Sequence, residues 1–333
     1  MIVFTLCSNN YLAQAKTLGD SFLLHNPGAT FAIGLVDRRH EAIDYSIFSN
    51  FLLLPVEEIG IKPFEEMRAR YSVMELNTAV KPFYFHYFYQ HYPQENKVIY
   101  LDPDILVYQP LNVLSEKLEE NNIVLTPHFT TPIYDDYNPG EPNILNTGIY
   151  NLGFIGTSRS EETMKFLDWW MVKLTTQCIN SFFDGLFVDQ LWNNFTPLYF
   201  EKVHILRHKG HNVAYWNLHE RRITGDTPEY TVNDEVPLVF YHFSGFLFNN
   251  TAEISKYQDR FTFAQRPDIV PLFKDYAHIV MKNGHEKFAA IKCYFDQGKP
   301  PSKLLKAMKN PALGNMINRF LEKKLHLRLI KTR

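Results

Sequence analysis

An α/β fold is what this sequence predicts, and three observations predict it. Apolar runs enriched in β-branched and aromatic residues alternate with segments of helical period over the first two thirds of the chain. With 333 residues, 45% of them hydrophobic and 21% charged, the chain can bury a sizeable core, near the size at which one domain acquires an appendage. No long stretch is polar, repetitive or low in complexity, which argues against both disorder and a solenoid.

Residues 2–6 read as a first strand and 11–24 as a helix, because Tyr11, Ala15, Leu18 and Phe22 recur at helical spacing and Asn26-Pro27-Gly28 stops it. Strands are expected over 30–36, ending at Asp37, and over 51–55, followed by one long helix over about 64–89. The sheet continues with strands at 97–100, 122–126 and 148–155, and an amphipathic helix covers 161–175. A short helix at 187–193 and strands at 203–206 and 238–241 follow, and from about Phe261 the pattern is helical. These readings divide the chain into a main domain, 1–250, and a helical C-terminal region with a basic tail, 251–333.

Cys7, Cys178 and Cys293 are odd in number and far apart, without CxxC or His-rich spacing, so neither a disulfide scaffold nor a zinc site is expected. The opening residues have no basic segment and no long apolar one and read as a strand, not a leader, and no run nears the roughly 20 apolar residues of a membrane span. A cytoplasmic protein is the expectation. The net charge of −2 conceals an asymmetry. Between Lys299 and Arg333 lie ten Lys or Arg residues against the single acid Glu322, so an acidic body carries a basic tail. Apolar residues such as Leu304, Met308 and Phe320 are interspersed with those cations, a composition suited to an anionic membrane surface. Nucleic acid is disfavoured, since the cations gather at one end and do not line a groove with interleaved aromatics.

Four segments carry chemistry. In Lys97-Val-Ile-Tyr-Leu-Asp102-Pro-Asp104 an apolar strand stops at two carboxylates, which is what a divalent cation needs when it also binds phosphate oxygens. In Phe240-Tyr-His242-Phe-Ser-Gly245 a second strand delivers an imidazole able to complete a Mn²⁺ or Mg²⁺ site, with a glycine that permits close approach of backbone. Asp189 and Gln190 pair a carboxylate with an amide at the start of the expected short helix, and the run from Leu145 to Gly153 offers amides and glycines suited to sugar hydroxyls. Taken singly, these would read as an Asp-Pro-Asp turn, a structural histidine, a helix cap and a β-bulge.

In this order the motifs resemble those of GT-A glycosyltransferases, in particular the retaining family 8 that contains lipopolysaccharide galactosyltransferases and glycogenin. The resemblance spans about residues 2–246: an N-terminal strand with a Tyr-bearing turn, the DxD, an Asn-x-Gly strand, an Asp-Gln pair and a late His-x-x-Gly. It implies the nucleotide-diphospho-sugar transferase fold, a mixed and mostly parallel sheet flanked by helices, here with a helical C-terminal extension. It also implies a hexosyltransferase that moves a sugar from a nucleotide sugar, UDP favoured, to a saccharide or lipid-linked acceptor in bacterial surface glycan synthesis. Carried over residue by residue, Leu6, Cys7, Ser8 and Tyr11 would line the base and ribose, and Asp102, Asp104 and His242 would hold Mn²⁺ (or Mg²⁺). Lys81 would contact the donor, Asn146, Asp189 and Gln190 would lie beside its sugar, and Gly245 would pack under the phosphates.

The family's late motif continues to Lys-Pro-Trp, whereas Gly245 is followed here by Phe-Leu-Phe-Asn, so phosphate neutralisation is expected from Lys209 or His208. Residues 215–221 have no assignable counterpart and read as acceptor-side or structural. An inverting enzyme would need a carboxylate base, for which Asp184 and Asp189 are candidates. A non-catalytic nucleotide-sugar-binding protein on the same fold is the remaining alternative. Phosphohydrolases with an Asp nucleophile place it on the first strand, which here ends in Cys7-Ser8-Asn9.

Overall fold

The computed structural model describes residues 1–296. The basic tail and the surface expected for it lie outside those residues, as does the part of the expected C-terminal helical region from 297 onward.

Among the described residues the strands are β1 (Ile2–Cys7), β2 (Thr30–Leu35), β3 (Leu52–Pro55), β4 (Lys97–Leu101), β5 (Ile105–Val107), β6 (Ile123–Pro127) and β7 (Tyr150–Ser158). They continue with β8 (Asn180–Ser181), β9 (Leu186–Phe187), β10 (Val203–Ile205), β11 (Ile223–Asp226), β12 (Glu229–Val232), β13 (Val236–Pro237) and β14 (Phe240–His242). The helices are α1 (Leu12–His25), α2 (Phe64–Arg70), α3 (Val73–Ala79), α4 (Lys81–His91), α5 (Asn112–Glu120), α6 (Glu141–Thr147), α7 (Glu161–Gln177), α8 (Thr196–Tyr199), α9 (Val270–Lys282) and α10 (His285–Ala289).

The central sheet has seven strands in the order β10-β6-β7-β4-β1-β2-β3. Six run parallel and β7 runs against both of its neighbours, so the mixed, mostly parallel α/β sheet is present. Alternation along the strands sorts the core into two layers, as the two-residue period of a strand requires. Ile2, Phe4 and Leu6 of β1 and Val98 and Tyr100 of β4 pack with Tyr84, Phe85 and Phe88 of α4 and Phe166 and Trp170 of α7. Val3 and Cys7, with Ile99 and Leu101, face the other way, toward Leu18 and Phe22 of α1 and Phe240 and Tyr241 of β14. Helix α9 joins that second layer through Leu272, Phe273 and Tyr276.

The expected long helix over 64–89 is three helices. Ser72 accepts from the Glu75 amide and Glu75 reaches back to the Ser72 amide, a capping box that starts α3 afresh, and Pro82 opens α4. The expected short helix at 187–193 begins instead with strand β9 and continues as a 3₁₀ turn. The compact unit runs through Phe295, so the change from strands to helices after 250 occurs within one packed body. No helix of the described residues is long and apolar enough to cross a membrane.

Candidate active site

Four stretches of backbone meet at one rim of the sheet. The parallel strands β1 and β4 end there, and because β7 is antiparallel to β4 its beginning lies beside the end of β4: Leu101 pairs with Phe154, and the Asp102 amide donates to the Gly153 carbonyl at 2.8 Å. After Pro103 the chain turns into β5, whose antiparallel partner β14 sets His242 opposite Ile105, and the Phe243 amide donates to the Asp104 carbonyl at 2.8 Å. Backbone pairing thus fixes two acids and an imidazole that are distant in sequence. Gly153 makes the close approach workable: a Cβ there would sit 2.4 Å from His242 Cε1 and 2.8 Å from Asp102 Oδ2.

The metal-binding set expected from the sequence is assembled. Asp102, Asp104 and His242 each offer a ligand atom within 4.8 Å of the others. His242 Nε2 lies 3.0 Å from Asp104 Oδ1 and 3.6 Å from Asp102 Oδ2. The imidazole is buried, with Trp216 edge-on at 5.1 Å between centroids, while the two carboxylates keep 30% and 25% of their surface. Tyr100 donates its hydroxyl to Asp102 Oδ1 at 2.6 Å, leaving Oδ2 toward His242. Burial raises the Asp102 carboxyl above its ordinary range, with Lys81 and His242 partly offsetting it. At His242 burial disfavours the proton, but Asp104 and then Asp102 overcome that and raise the imidazole above its usual value. Two carboxylates and an imidazole, reachable from solvent and gathered over a glycine, fit a hard divalent cation such as Mn²⁺ or Mg²⁺.

Behind this triad lies the second predicted pair. The hairpin β8–β9 delivers Val188, held at φ +38, a left-handed conformation costly for a β-branched residue, and Asp189 and Gln190 follow, both buried. Asp189 Oδ2 meets Lys81 Nζ at 2.5 Å, and Lys81 also donates to the Leu152 carbonyl at 2.8 Å and lies 4.1 Å over the Tyr100 ring. Lys81, expected to contact donor, is therefore committed to Asp189. Burial raises the Asp189 carboxyl, against the pull of Lys81. Gln190 Oε1 accepts from the Leu152 amide at 3.1 Å and from Asn151 Nδ2 at 3.3 Å.

Tyr11 sits at the mouth with 45% of its surface exposed. Burial of its hydroxyl and the nearby Asp104, Tyr257 and Asp102 push it up to about 12. The side chains of Leu6 and Cys7 are core, so at those positions only backbone is available to a ligand. Ser8 Oγ is tied to the Val36 carbonyl at 3.2 Å and to Asn77 Nδ2 at 2.9 Å. Asn146 is exposed on α6, one residue before Thr147, whose carbonyl accepts from Gln190, while Asn151 of β7 bonds Gln190 directly. Gly245 takes φ +73 against Ser255 and Tyr257, where a Cβ would lie 2.4 Å from Ser255 Oγ. Neither residue expected to replace the missing lysine joins the triad's contacts: Lys209 pairs with Glu235 at 3.8 Å, and His208 Nδ1 lies 2.9 Å from His211 Nδ1. Asp184 is exposed in the hairpin and accepts from Ser181.

Sequence reasoning missed Asn212 and His128, both buried beside the triad, because each stands outside a recognisable motif. The unassigned segment after Ala214 proves largely structural: Trp216 walls His242, and Asn217 donates to the carbonyls of His128 and Asn212, both at 2.9 Å.

No family model matches the chain. Two curated relatives from Bacillus subtilis (strain 168) align over most of it. The uncharacterized protein YfnF is 22% identical over 255 residues, covering 76% of this chain and 84% of YfnF. The uncharacterized protein YfnD is 22% identical over 251 residues, covering 73% of this chain and 76% of YfnD. Among solved structures, the galactosyltransferase LgtC in complex with donor and acceptor sugar analogues superposes with a TM-score of 0.52 at 14% identity, covering 85% of this chain and 96% of LgtC. The chain has the GT-A glycosyltransferase fold.

Proposed function

We propose that this chain is a metal-dependent glycosyltransferase that moves a hexose from a nucleotide diphosphate sugar, UDP favoured, to a saccharide or lipid-linked acceptor with retention of configuration. The observation that carries the proposal is the convergence of Asp102, Asp104 and His242 at the carboxyl-end rim of the sheet, with Tyr11 at the mouth and Asp189 and Gln190 behind. Open α/β sheets bind their ligands at that rim. Agreement of the fold with a galactosyltransferase supports it.

Departure of a nucleoside diphosphate concentrates negative charge on the leaving oxygens while the anomeric carbon becomes cationic. Asp102, Asp104 and His242 would hold a divalent cation, which would supply Lewis-acid stabilisation of that charge. Tyr11 stacks on the base and fixes the nucleotide end. Gln190, its side chain fastened to Leu152 and Thr147, lies beside the sugar with Asp189, whose charge is held in place by Lys81 and stabilises the cationic face. In this reading no strong base is needed, since the acceptor hydroxyl loses its proton to the leaving phosphate. Asp189, ion-paired to Lys81 and buried, is poorly placed to serve as the solvent-facing base of an inverting enzyme. The acceptor is proposed to belong to bacterial surface glycan synthesis, with the basic segment from Lys299 to Arg333 holding the enzyme at the inner membrane face.

A panel of nucleotide sugars incubated with Mn²⁺ and assayed for released nucleoside diphosphate tests the proposal. Slow hydrolysis of at least one UDP-hexose, abolished by EDTA, is expected. Absence of hydrolysis and of binding across the panel would reject it.

A further inference from the structure

A chain of buried amides links His242 to Gln190, and backbone groups at its far end fix its polarity. Gln190 Nε2 donates to the Thr147 carbonyl at 2.9 Å, and its Oε1 accepts from the Leu152 amide at 3.1 Å. A carbonyl only accepts and an amide N–H only donates, so the Gln190 side chain can be oriented one way. The Asn151 atom 3.3 Å from Gln190 Oε1 must then be its nitrogen, which turns Asn151 Oδ1 toward Asn212. Asn212 Nδ2 donates to that oxygen at 3.1 Å, leaving Asn212 Oδ1 3.3 Å from His242 Nδ1. An amide oxygen has no proton to give, so Nδ1 of His242 carries one.

His128 reaches the same orientation from the other side. Its Nδ1 faces the Ile149 carbonyl at 3.1 Å and therefore bears the proton, so its bare Nε2, 3.4 Å from Asn151 Nδ2, again requires nitrogen at that position. Two independent backbone references thus agree on Asn151. Asn212 itself sits at φ +53, a left-handed conformation that asparagine tolerates better than most residues, and it is fully buried.

We infer that Asn212 is a positioning residue: oriented by Asn151 and Gln190, it holds the neutral His242 in the Nδ1–H tautomer, so that the Nε2 lone pair is the one presented to Asp102 and Asp104. The role rests on the functional reading above only for its purpose, which is to offer a divalent cation a ready nitrogen ligand. A lone pair 3.0 Å from a carboxylate oxygen needs something positive between them, a proton or a metal cation, so this tautomer leaves Nε2 as the position that a divalent cation can take in place of a proton. In the same network Gln190, proposed to lie beside the donor sugar, is mechanically joined to a proposed metal ligand.

Two measurements test it. In metal-free full-length protein with ¹⁵N-labelled histidine, long-range ¹H–¹⁵N correlation at alkaline pH reads the tautomer of His242, its signals identified by their loss in His242→Ala. The Nδ1–H form is expected, and the Nε2–H form or an even mixture would overturn the inference. In a calorimetric Mn²⁺ titration, Asn212→Gly, which removes the amide while suiting φ +53, should bind about 10- to 100-fold more weakly, as removal of a ligand's outer partner does. Asn212→Asp, which keeps an acceptor for Nδ1–H but turns its second oxygen toward Asn151 Oδ1, should recover part of that loss. Unchanged affinity in a folded Asn212→Gly protein would also overturn it. Wild-type protein that takes up no divalent cation would reject the proposed function, while the tautomer spectrum would still decide this point.

Discussion

The mouth and the floor of the site handle negative charge in opposite ways. At the floor Asp189 meets Lys81 at 2.5 Å, both buried, and the neighbouring amides of Gln190, Asn151 and Asn212 are committed to one another or to backbone. At the mouth Asp102, Asp104 and His242 converge within 4.8 Å, partly open to solvent, with lone pairs left over. Saturated groups form the frame, and unsaturated ones await a ligand. The contrast also separates two kinds of variant: changes at the mouth should remove function and spare stability, and changes at the floor should cost stability first.

The largest expected effect is at the mouth. Asp104→Ala should lower kcat/KM a thousandfold or more, roughly 4 kcal/mol of transition-state stabilisation, with a melting temperature no lower than wild type because a like charge beside Asp102 is relieved. A variant that loses activity only in step with its stability would erase the distinction. At the floor, Lys81→Met strands a buried carboxylate and should destabilise the protein by about 3 to 5 kcal/mol in urea unfolding. The double variant Lys81→Met with Asp189→Leu should recover most of that stability while staying inactive, and no recovery would mean that Lys81 acts through other contacts.

His128 sharpens the comparison through pH. Burial lowers its pKa from 6.5 to about 4, so the folded protein keeps it neutral while the unfolded chain takes up a proton as pH falls below 6.5. Its contribution is therefore intact above pH 6.5, declines from there to about pH 4, and amounts to about 3 kcal/mol at most. His128→Asn should flatten the stability profile across that window, and unfolding curves with the same pH slope as wild type would speak against a neutral buried imidazole. The smallest effect concerns Tyr11, half exposed and outside the frame. Tyr11→Ala should weaken UDP binding by about 1 to 3 kcal/mol with an unchanged melting temperature, the size expected for loss of a base-stacking surface.

The mouth was the legible part of the sequence. Asp102-Pro-Asp104 and His242 each follow an apolar strand, and local pattern is enough to say that such residues gather at a sheet rim. The floor was legible only in part: Asp189 and Gln190 stood out, but their meaning lies in partners distant in sequence. Lys81 was expected to reach the donor, and nothing near it in sequence points to Asp189, which the fold brings to its ammonium. The amides between 145 and 153 show the same limit. Asn146 and Asn151 look alike in composition, yet Pro142 and Asn143, whose Oδ1 accepts from the Gly140 amide at 2.8 Å, start helix α6 and leave Asn146 on its surface. The cap Ser72-x-x-Glu75 was present in the sequence and marked the break in the expected long helix.

UDP binding followed by calorimetry, with Mn²⁺ and again in EDTA, tests most directly whether Asp102, Asp104 and His242 join a cation to a nucleotide diphosphate. Saturable binding in Mn²⁺, lost in EDTA and lost in Asp104→Ala, is the predicted result. UDP binding of equal affinity in EDTA, or undiminished in Asp104→Ala, would contradict it.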